Sequence, residues 1–177
     1  AGDASGIVSL SNDGNVLAVG ANGNDGNGDS AGHVRIYRNN SGTWQQIGSD
    51  IDGEAAGDAS GTSVSLSADG NVVAIGAYGN DAGGTNAGHV RIYRNNNDSW
   101  LQIGSDIDGV SSSDNLGRSV AMNSDATRIV TGAPGIAEGH VRVYDWDGSN
   151  WTQIGYIVGE ASGDQFGYSV AMSSDGT

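Results

Sequence analysis

Residues 57–112 read GDASGTSVSLSADGNVVAIGAYGNDAGGTNAGHVRIYRNNNDSWLQIGSDIDGVSS, and the chain is this stretch written about three times. Residues 1–56 say nearly the same thing, residues 113–162 repeat it more loosely, and a fourth copy runs from Gly163 to Thr177. His33, His89 and His140 are 56 and 51 residues apart, as are Tyr37, Tyr93 and Tyr144, and Trp44, Trp100 and Trp151. Most of the shortening in the third copy falls between Ala133 and His140, a gap of 7 residues against 12 between Ala21 and His33. Length varies in loops while the apolar segments hold their spacing. Periods of this size point to solenoids or propellers.

Within the second copy, Ser63-Val64-Ser65-Leu66-Ser67 alternates polar and apolar, the period-2 signature of a strand with one buried face. Ala68-Asp69-Gly70-Asn71 then makes a tight turn in which Gly70 is free to take positive φ. Val72-Val73-Ala74-Ile75-Gly76-Ala77 is apolar on both faces, as a strand covered on both sides must be. A glycine- and asparagine-rich loop leads to the alternating Gly88-His89-Val90-Arg91-Ile92-Tyr93, and a turn at residues 95–98 leads to a fourth strand, Ser99-Trp100-Leu101-Gln102-Ile103. No segment carries helical spacing. Four antiparallel strands per repeat make one small sheet with two faces to bury, and stacking copies around an axis buries them. The expected fold is all-β: a β-propeller, or part of one, built of four-stranded antiparallel blades. The blades are expected at 1–56, 57–112 and 113–162, with 163–177 as the first strand of a fourth. A ring closes with about four to eight blades, so the chain is expected to belong to a longer repeat protein or to assemble.

Thirty-one glycines and one proline among 177 residues suit many short strands joined by tight turns. The net charge is −14 and all seven cations are arginine. Such a chain repels nucleic acid and anionic membranes, both of which demand basic patches. Cysteine is absent, which excludes disulfides and thiolate metal sites. No apolar run approaches the roughly 18 residues of a membrane helix.

Phe166-Gly167 stands before the first strand of the fourth copy, and Gly132-Ala133-Pro134 precedes Gly139-His140-Val141-Arg142-Val143-Tyr144 in the third. An FG, a GAP and then G-x-V-x-V-Y is the pattern for which FG-GAP repeats are named. The chain resembles that family, which includes the propeller head of integrin α subunits and many microbial and algal surface proteins. Elsewhere the FG position reads Ser5-Gly6, Ser60-Gly61 and Leu116-Gly117, and the GAP position reads Gly20-Ala21-Asn22 and Gly76-Ala77-Tyr78. The resemblance implies a propeller and an extracellular or cell-surface setting. It also implies a calcium loop, D-x-[DN]-x-D-G, between the first two strands of a blade. Here those positions read Ser11-Asn12-Asp13-Gly14-Asn15, Ser67-Ala68-Asp69-Gly70-Asn71 and Asn123-Ser124-Asp125-Ala126-Thr127. Each has one carboxylate, whereas calcium takes six to eight oxygens, so the family's usual site is expected to be missing.

The densest acidic cluster is Asp50, Asp52 and Glu54 with Asp58, a D-x-D-G turn that could form an oxygen cage for calcium. The other reading is a connection between blades in which Asp3, Asp58, Asp114 and Asp164 accept backbone hydrogen bonds. The copies favour the second, since Val110 replaces Glu54 in copy two and Ile157-Val158 replaces the aspartate pair in copy three. A weaker cation candidate is the loop with Asn22, Asn24, Asp25, Asn27 and Asp29. The three histidines occupy one place in three blades and are expected to pack strands rather than converge on one metal. Arg35, Arg91 and Arg142 follow two residues later, as a repeated blade-to-blade contact would. Trp44, Trp100 and Trp151 have two readings, stacking on sugar rings or capping the layer between blades. Asn39, Asn97 and Asn150 open N-x-S/T sequons in the same hairpin of successive blades, which makes them candidate glycosylation sites.

No arrangement of nucleophile, base and orienting group can be argued from the spacing, so the chain reads as non-enzymatic. The expected role is a secreted or cell-surface interaction module, serving adhesion or assembly of a repetitive surface protein or fibre. Its partners would be another protein or a glycan at the cell surface, or further copies of itself. The alternative is a carbohydrate-binding propeller with one tryptophan per blade.

Overall fold

The structure, a computed structural model, describes residues 2–177 and contains three antiparallel sheets without a helix. Sheet one runs β1 (Ser5–Leu10), β2 (Val16–Ala21), β3 (His33–Asn40) and β4 (Thr43–Gln46), with β5 (Ile51–Asp52) on the same strand β3. Sheet two repeats the order as β6 (Ser63–Leu66), β7 (Val72–Ala77), β8 (His89–Asn96), β9 (Ser99–Gln102) and β10 (Ile107–Asp108). Sheet three has β11 (Ser119–Met122), β12 (Arg128–Ala133), β13 (His140–Trp146) and one long β14 (Trp151–Val158). The first strands lie side by side, β6 between β1 and β11. The sheets therefore fan out from a common inner edge.

The burial patterns follow from this stacking. β7, apolar on both faces, is buried at every position, because sheet two is covered on both sides. β2 has the same type of sequence but alternates buried and half-buried, because among the described residues no sheet covers the outer face of sheet one. One seam packs Val16, Ala18, Val34, Ile36, Ile47 and Ile51 of sheet one against Val64, Leu66, Val73, Ile75 and Tyr93 of sheet two. The next packs Val72, Ala74, Val90, Ile92 and Ile107 against Val120, Met122, Ile129, Tyr144 and Trp151 of sheet three.

At the inner end of each seam two glycines meet. A Cβ on Gly20 would overlap the carbonyl oxygen of Gly61, and the same holds for Gly76 with Gly117 and Gly132 with Gly167. The first of each pair stands in the GAP position and the second in the FG position of the following copy, where φ is +85°, +83° and +90°. Side-chain hydroxyls reinforce the contact. Ser63 Oγ donates to Gly117 O and Ser119 Oγ to Gly167 O, both at 2.8 Å. Ser9 Oγ accepts from Leu66 N at 2.9 Å and Ser65 Oγ from Met122 N at 3.1 Å. The inner hairpin turns are also tied in line, Asn12 N to Ala68 O, Ala68 N to Ser124 O and Ser124 N to Ser174 O, each 2.9 Å.

Two expectations change. The outer strand is not one piece in the first two sheets, because residues 47–50 and 103–106 loop out and the chain returns to the sheet at β5 and β10. The D-x-D-G segments that read as turns are therefore strands, with Ile51 paired to Val34 and Asp52 to His33. The third copy is one residue shorter there, and β14 runs through with a bulge opposite Val143 and Tyr144. The second change concerns residues 163–177, expected to supply the first strand of a fourth blade. They form the parallel bridge Gly139 to Phe166 and a hairpin-type turn, Gly176 N to Ser173 O at 3.1 Å, but no strand. A strand exists only through a paired neighbour, and among the described residues none lies antiparallel to 168–172.

The glycine contact gives a direct stability test. Gly76→Ala forces the two backbones apart and is expected to lower stability by about 1–3 kcal/mol, the usual range for overpacking. Gly6→Ala, where a Cβ meets nothing within 4 Å, is expected to be neutral or slightly stabilising. Urea midpoints of the two variants check this, and equal midpoints would refute the contact.

Candidate functional site

Calcium at the first hairpin of each copy fails on the geometry. In copy one the Asp13 carboxylate accepts from Ser11 Oγ at 2.7 Å, Asn15 N at 3.0 Å and Asn15 Nδ2 at 3.0 Å. Asp69 is held the same way by Ser67 and Asn71, and Asp125 by Thr127. The single carboxylate of each turn is thus already satisfied by protein donors, and no second one stands beside it. The S-x-D-G-N sequence closes a turn with hydrogen bonds where the family's loop uses an ion. The Ser11 hydroxyl, followed by the Asn15 amides, pulls the Asp13 carboxyl down to about 2. The loop at residues 22–30 is likewise closed by its own groups, with Asp25 Oδ1 accepting from Ser30 N at 3.0 Å and Asn27 Nδ2 donating to Gly53 O at 2.7 Å.

The acidic cluster Asp50, Asp52, Glu54 and Asp58 is divided among three settings. Asp58 is buried, and its Oδ2 accepts from Glu54 N, Ala55 N and Asn80 Nδ2 at 3.1, 3.0 and 3.2 Å. Asp114 and Asp164 cap their own connections the same way, through Val110 N and Ala161 N. Asp50 takes the Arg35 guanidinium on both oxygens and Gln46 Nε2 at 2.7 Å. Asp52, alternating outward from β5, stands with Asp50 beside the buried His33. Glu54 alone reaches across the seam into sheet two, where its Oε1 lies 3.1 Å from Arg91 Nη1. Two of the three repeated arginines act between blades: Arg91 Nη2 donates to Asp52 O at 3.0 Å and Arg142 Nη1 to Asp108 O at 3.3 Å, while Arg35 pairs within its own sheet.

Glu54 thereby enters a group that the sequence did not reveal. Its Oε2 lies 3.9 Å from His89 Nδ1, and Asp106 Oδ2 lies 3.9 Å from the same nitrogen. His89 is 1% exposed and its Nδ1 has no hydrogen-bond partner. Burial, followed by the neighbouring Arg91 charge, pushes the imidazole down to about 4, so at neutral pH it is uncharged. The only sequence signal was an aspartate 17 residues after the histidine, Asp50 after His33 and Asp106 after His89. That signal carries no meaning until the seam is known.

Trp100 and Trp151 cap the seams. The Trp100 indole donates to Ile47 O at 3.0 Å and packs against Gly48, and Trp151 donates to Ile103 O at 3.3 Å against Gly104. Trp151, 9% exposed, is sealed between sheets and offers no free face to a sugar, whereas Trp100 is partly buried. Trp44 on the uncovered sheet remains 43% exposed. The three sequons share a hairpin but not a position. Asn39 is in β3 and its Oδ1 accepts from Gly42 N, Asn97 is in the turn itself, and Asn150 directly precedes β14. The structural equivalent of Asn39 is Asn95, whose Oδ1 accepts from Asp98 N at 2.8 Å. The register of the sequons was thus a coincidence of asparagine-rich turns. A groove of about 800 Å³ lies beside these hairpins and is lined by polar groups including Arg38, Asp69, Arg94, Asp98 and Asp125.

Residues 50–93 match the family model of the FG-GAP repeat. No curated protein gives a significant match. Among solved structures the chain is similar to TolB from Acinetobacter baumannii (12% identity, TM-score 0.56, 98% of this chain and 36% of that one). It is also similar to a putative 6-phosphogluconolactonase from Bacteroides fragilis (14%, 0.61, 91% and 41%). A third is the β-propeller domain of the Trilobed protease from Pyrococcus furiosus (13%, 0.52, 86% and 41%). These likenesses show the fold, a partial β-propeller, and the chain spans about two fifths of the length of these proteins.

The turn geometry predicts the titration of Asp13. A carboxyl whose folded pKa lies below its ordinary 3.8 adds stability that is present above the ordinary value and lost as pH falls toward about 2. Carbon-13 NMR of the side-chain carboxyl is expected to give a midpoint near 2 in the wild type and a higher one in Ser11→Ala. A wild-type midpoint near 3.8 would show that the turn is open in solution.

Proposed function

We propose that these blades, of which residues 50–93 carry an FG-GAP repeat, form a non-enzymatic interaction module of an extracellular or cell-surface protein. In this reading the module serves adhesion or assembly. The observation that carries it is the match between what the seams bury and what the outer faces show. Val64, Leu66 and Trp100 cover sheet one from sheet two, and their equivalents in sheet one, Val8, Leu10 and Trp44, are exposed. Ile47 and Ile51 are buried in the first seam, and their equivalents in sheet three, Ile154 and Ile157, are 52% and 53% exposed. Faces of this composition suit further blades of the same kind, supplied by the same polypeptide or by another copy. In the two seams the recurring glycines, Arg91, Arg142, Trp100 and Trp151 hold blade to blade, and in this reading the variable loops are left to meet partners. The excess of acidic groups supports solubility outside the seams and disfavours nucleic acid and anionic membranes.

Light scattering across a concentration series tests the assembly reading. The wild-type chain, 17.8 kDa, is expected to form species of higher mass that Ile154→Asp with Ile157→Asp returns to the monomer. A wild type that stays monomeric at every concentration defeats self-assembly and leaves adhesion to other proteins to be measured on immobilised chain. Hydrolysis of 6-phosphogluconolactone by the purified chain would overturn the non-enzymatic reading.

A further inference from the structure

We propose that His89, Glu54 and Asp106 form a site for a zinc-class divalent cation that clasps the connection after sheet one to sheet two. The inference is independent of the proposed function. One ligand atom from each residue lies within 4.8 Å of the other two. The observation that points to a ligand is His89 Nδ1, a polar atom buried from solvent, aimed between two carboxylates and without a hydrogen-bond partner. Buried polar atoms are almost always satisfied, and one left unpaired calls for an unseen partner. A neutral imidazole beside two carboxylates has its lone pair to give.

The donor set selects the ion. One imidazole nitrogen and two carboxylate oxygens suit zinc and its first-row neighbours, whereas calcium and magnesium require more oxygens than are present. A tetrahedral ion about 2.1 Å from each donor sets them about 3.4 Å apart. The 3.9 Å separations therefore need to close by about half an ångström. Glu54, with 48% of its side chain exposed, has that freedom, and Asp106 is 28% exposed. Arg91 pairs with Glu54 Oε1 and leaves Oε2 for the ion. Gln102 Nε2 rests on Asp106 Oδ1 and leaves Oδ2. A water would fill the fourth position, on the exposed side of Glu54.

The surroundings of the other two histidines differ among the described residues. Beside His33 the acidic neighbours are Asp50 and Asp52, and Asp50 is engaged by Arg35 through two of its nitrogens. Beside His140, Val110 stands where Glu54 would, and the Tyr156 ring packs 5.1 Å from the imidazole centroid.

Calorimetric titration of the intact chain with Zn²⁺ tests the site. One ion per chain is expected, with a rise in thermal midpoint on zinc addition and tetrahedral visible bands when Co²⁺ replaces it. Glu54→Gln and Asp106→Asn are each expected to weaken binding by about 10-fold or more, and His89→Gln to abolish it. His33→Gln is expected to leave it intact. Should His89→Gln fail to fold, the two carboxylate variants decide, because both side chains are partly exposed. The proposal is overturned by no binding at millimolar Zn²⁺, by affinity unchanged in Glu54→Gln and Asp106→Asn, by loss in His33→Gln instead, or by equal affinity for Ca²⁺.

Discussion

Backbone meets backbone where one blade joins the next, and the rest of the structure depends on it. Gly20 against Gly61, Gly76 against Gly117 and Gly132 against Gly167 leave no room for a side chain on either partner. The approach puts the first strand of each copy close enough to its predecessor for Ser9 and Ser65 to reach the amides of Leu66 and Met122. With the inner edge fixed, the apolar faces of β2 and β3 close on β6 and β7, and the outer edge is sealed by a tryptophan on a glycine of the previous blade. The FG and GAP dipeptides are thus two halves of one contact. They are separated in the chain by 41, 41 and 35 residues.

Charge is arranged around the same seams. Arg91 bridges to Asp52 O and Glu54, and Arg142 to Asp108 O and the buried Asp114. Arg35 turns back to Asp50 of its own sheet. Arg118 reaches across the seam between sheets two and three, over the rings of Tyr78 and Tyr168 at 5.5 and 4.7 Å. A buried guanidinium that lost its carboxylate would stand as an uncompensated charge, which is far worse than an empty surface pair. The scarcity of cations in the chain therefore reflects use at defined places rather than an absence of need.

The strands of each blade were legible because they obey period 2, and β7 announced its double coverage by being apolar at every position. What could not be read were features that exist only between copies. Ile51-Asp52 looked like a turn because two aspartates and a glycine surround it, yet Ile51 is core and Asp52 is simply the next residue out. Asp58 and Asp114 as caps were readable, since a recurring aspartate before a turn has a local explanation. The pairing of Glu54 with His89 was not, because it depends on which face of a connection looks across a seam. The sequons misled for a related reason: a composition rich in asparagine produces matches that have no common structural position.

The line of backbone hydrogen bonds from Asn12 through Ala68 and Ser124 to Ser174 has a mechanical meaning. Pulled at its ends, the chain loads its seams in series, since each blade is held to the next by one connection and one seam. Shared cores resist until a seam shears, and the blade beyond it then unravels as a unit. Each such event frees about 55 residues, roughly 180–200 Å of extended chain.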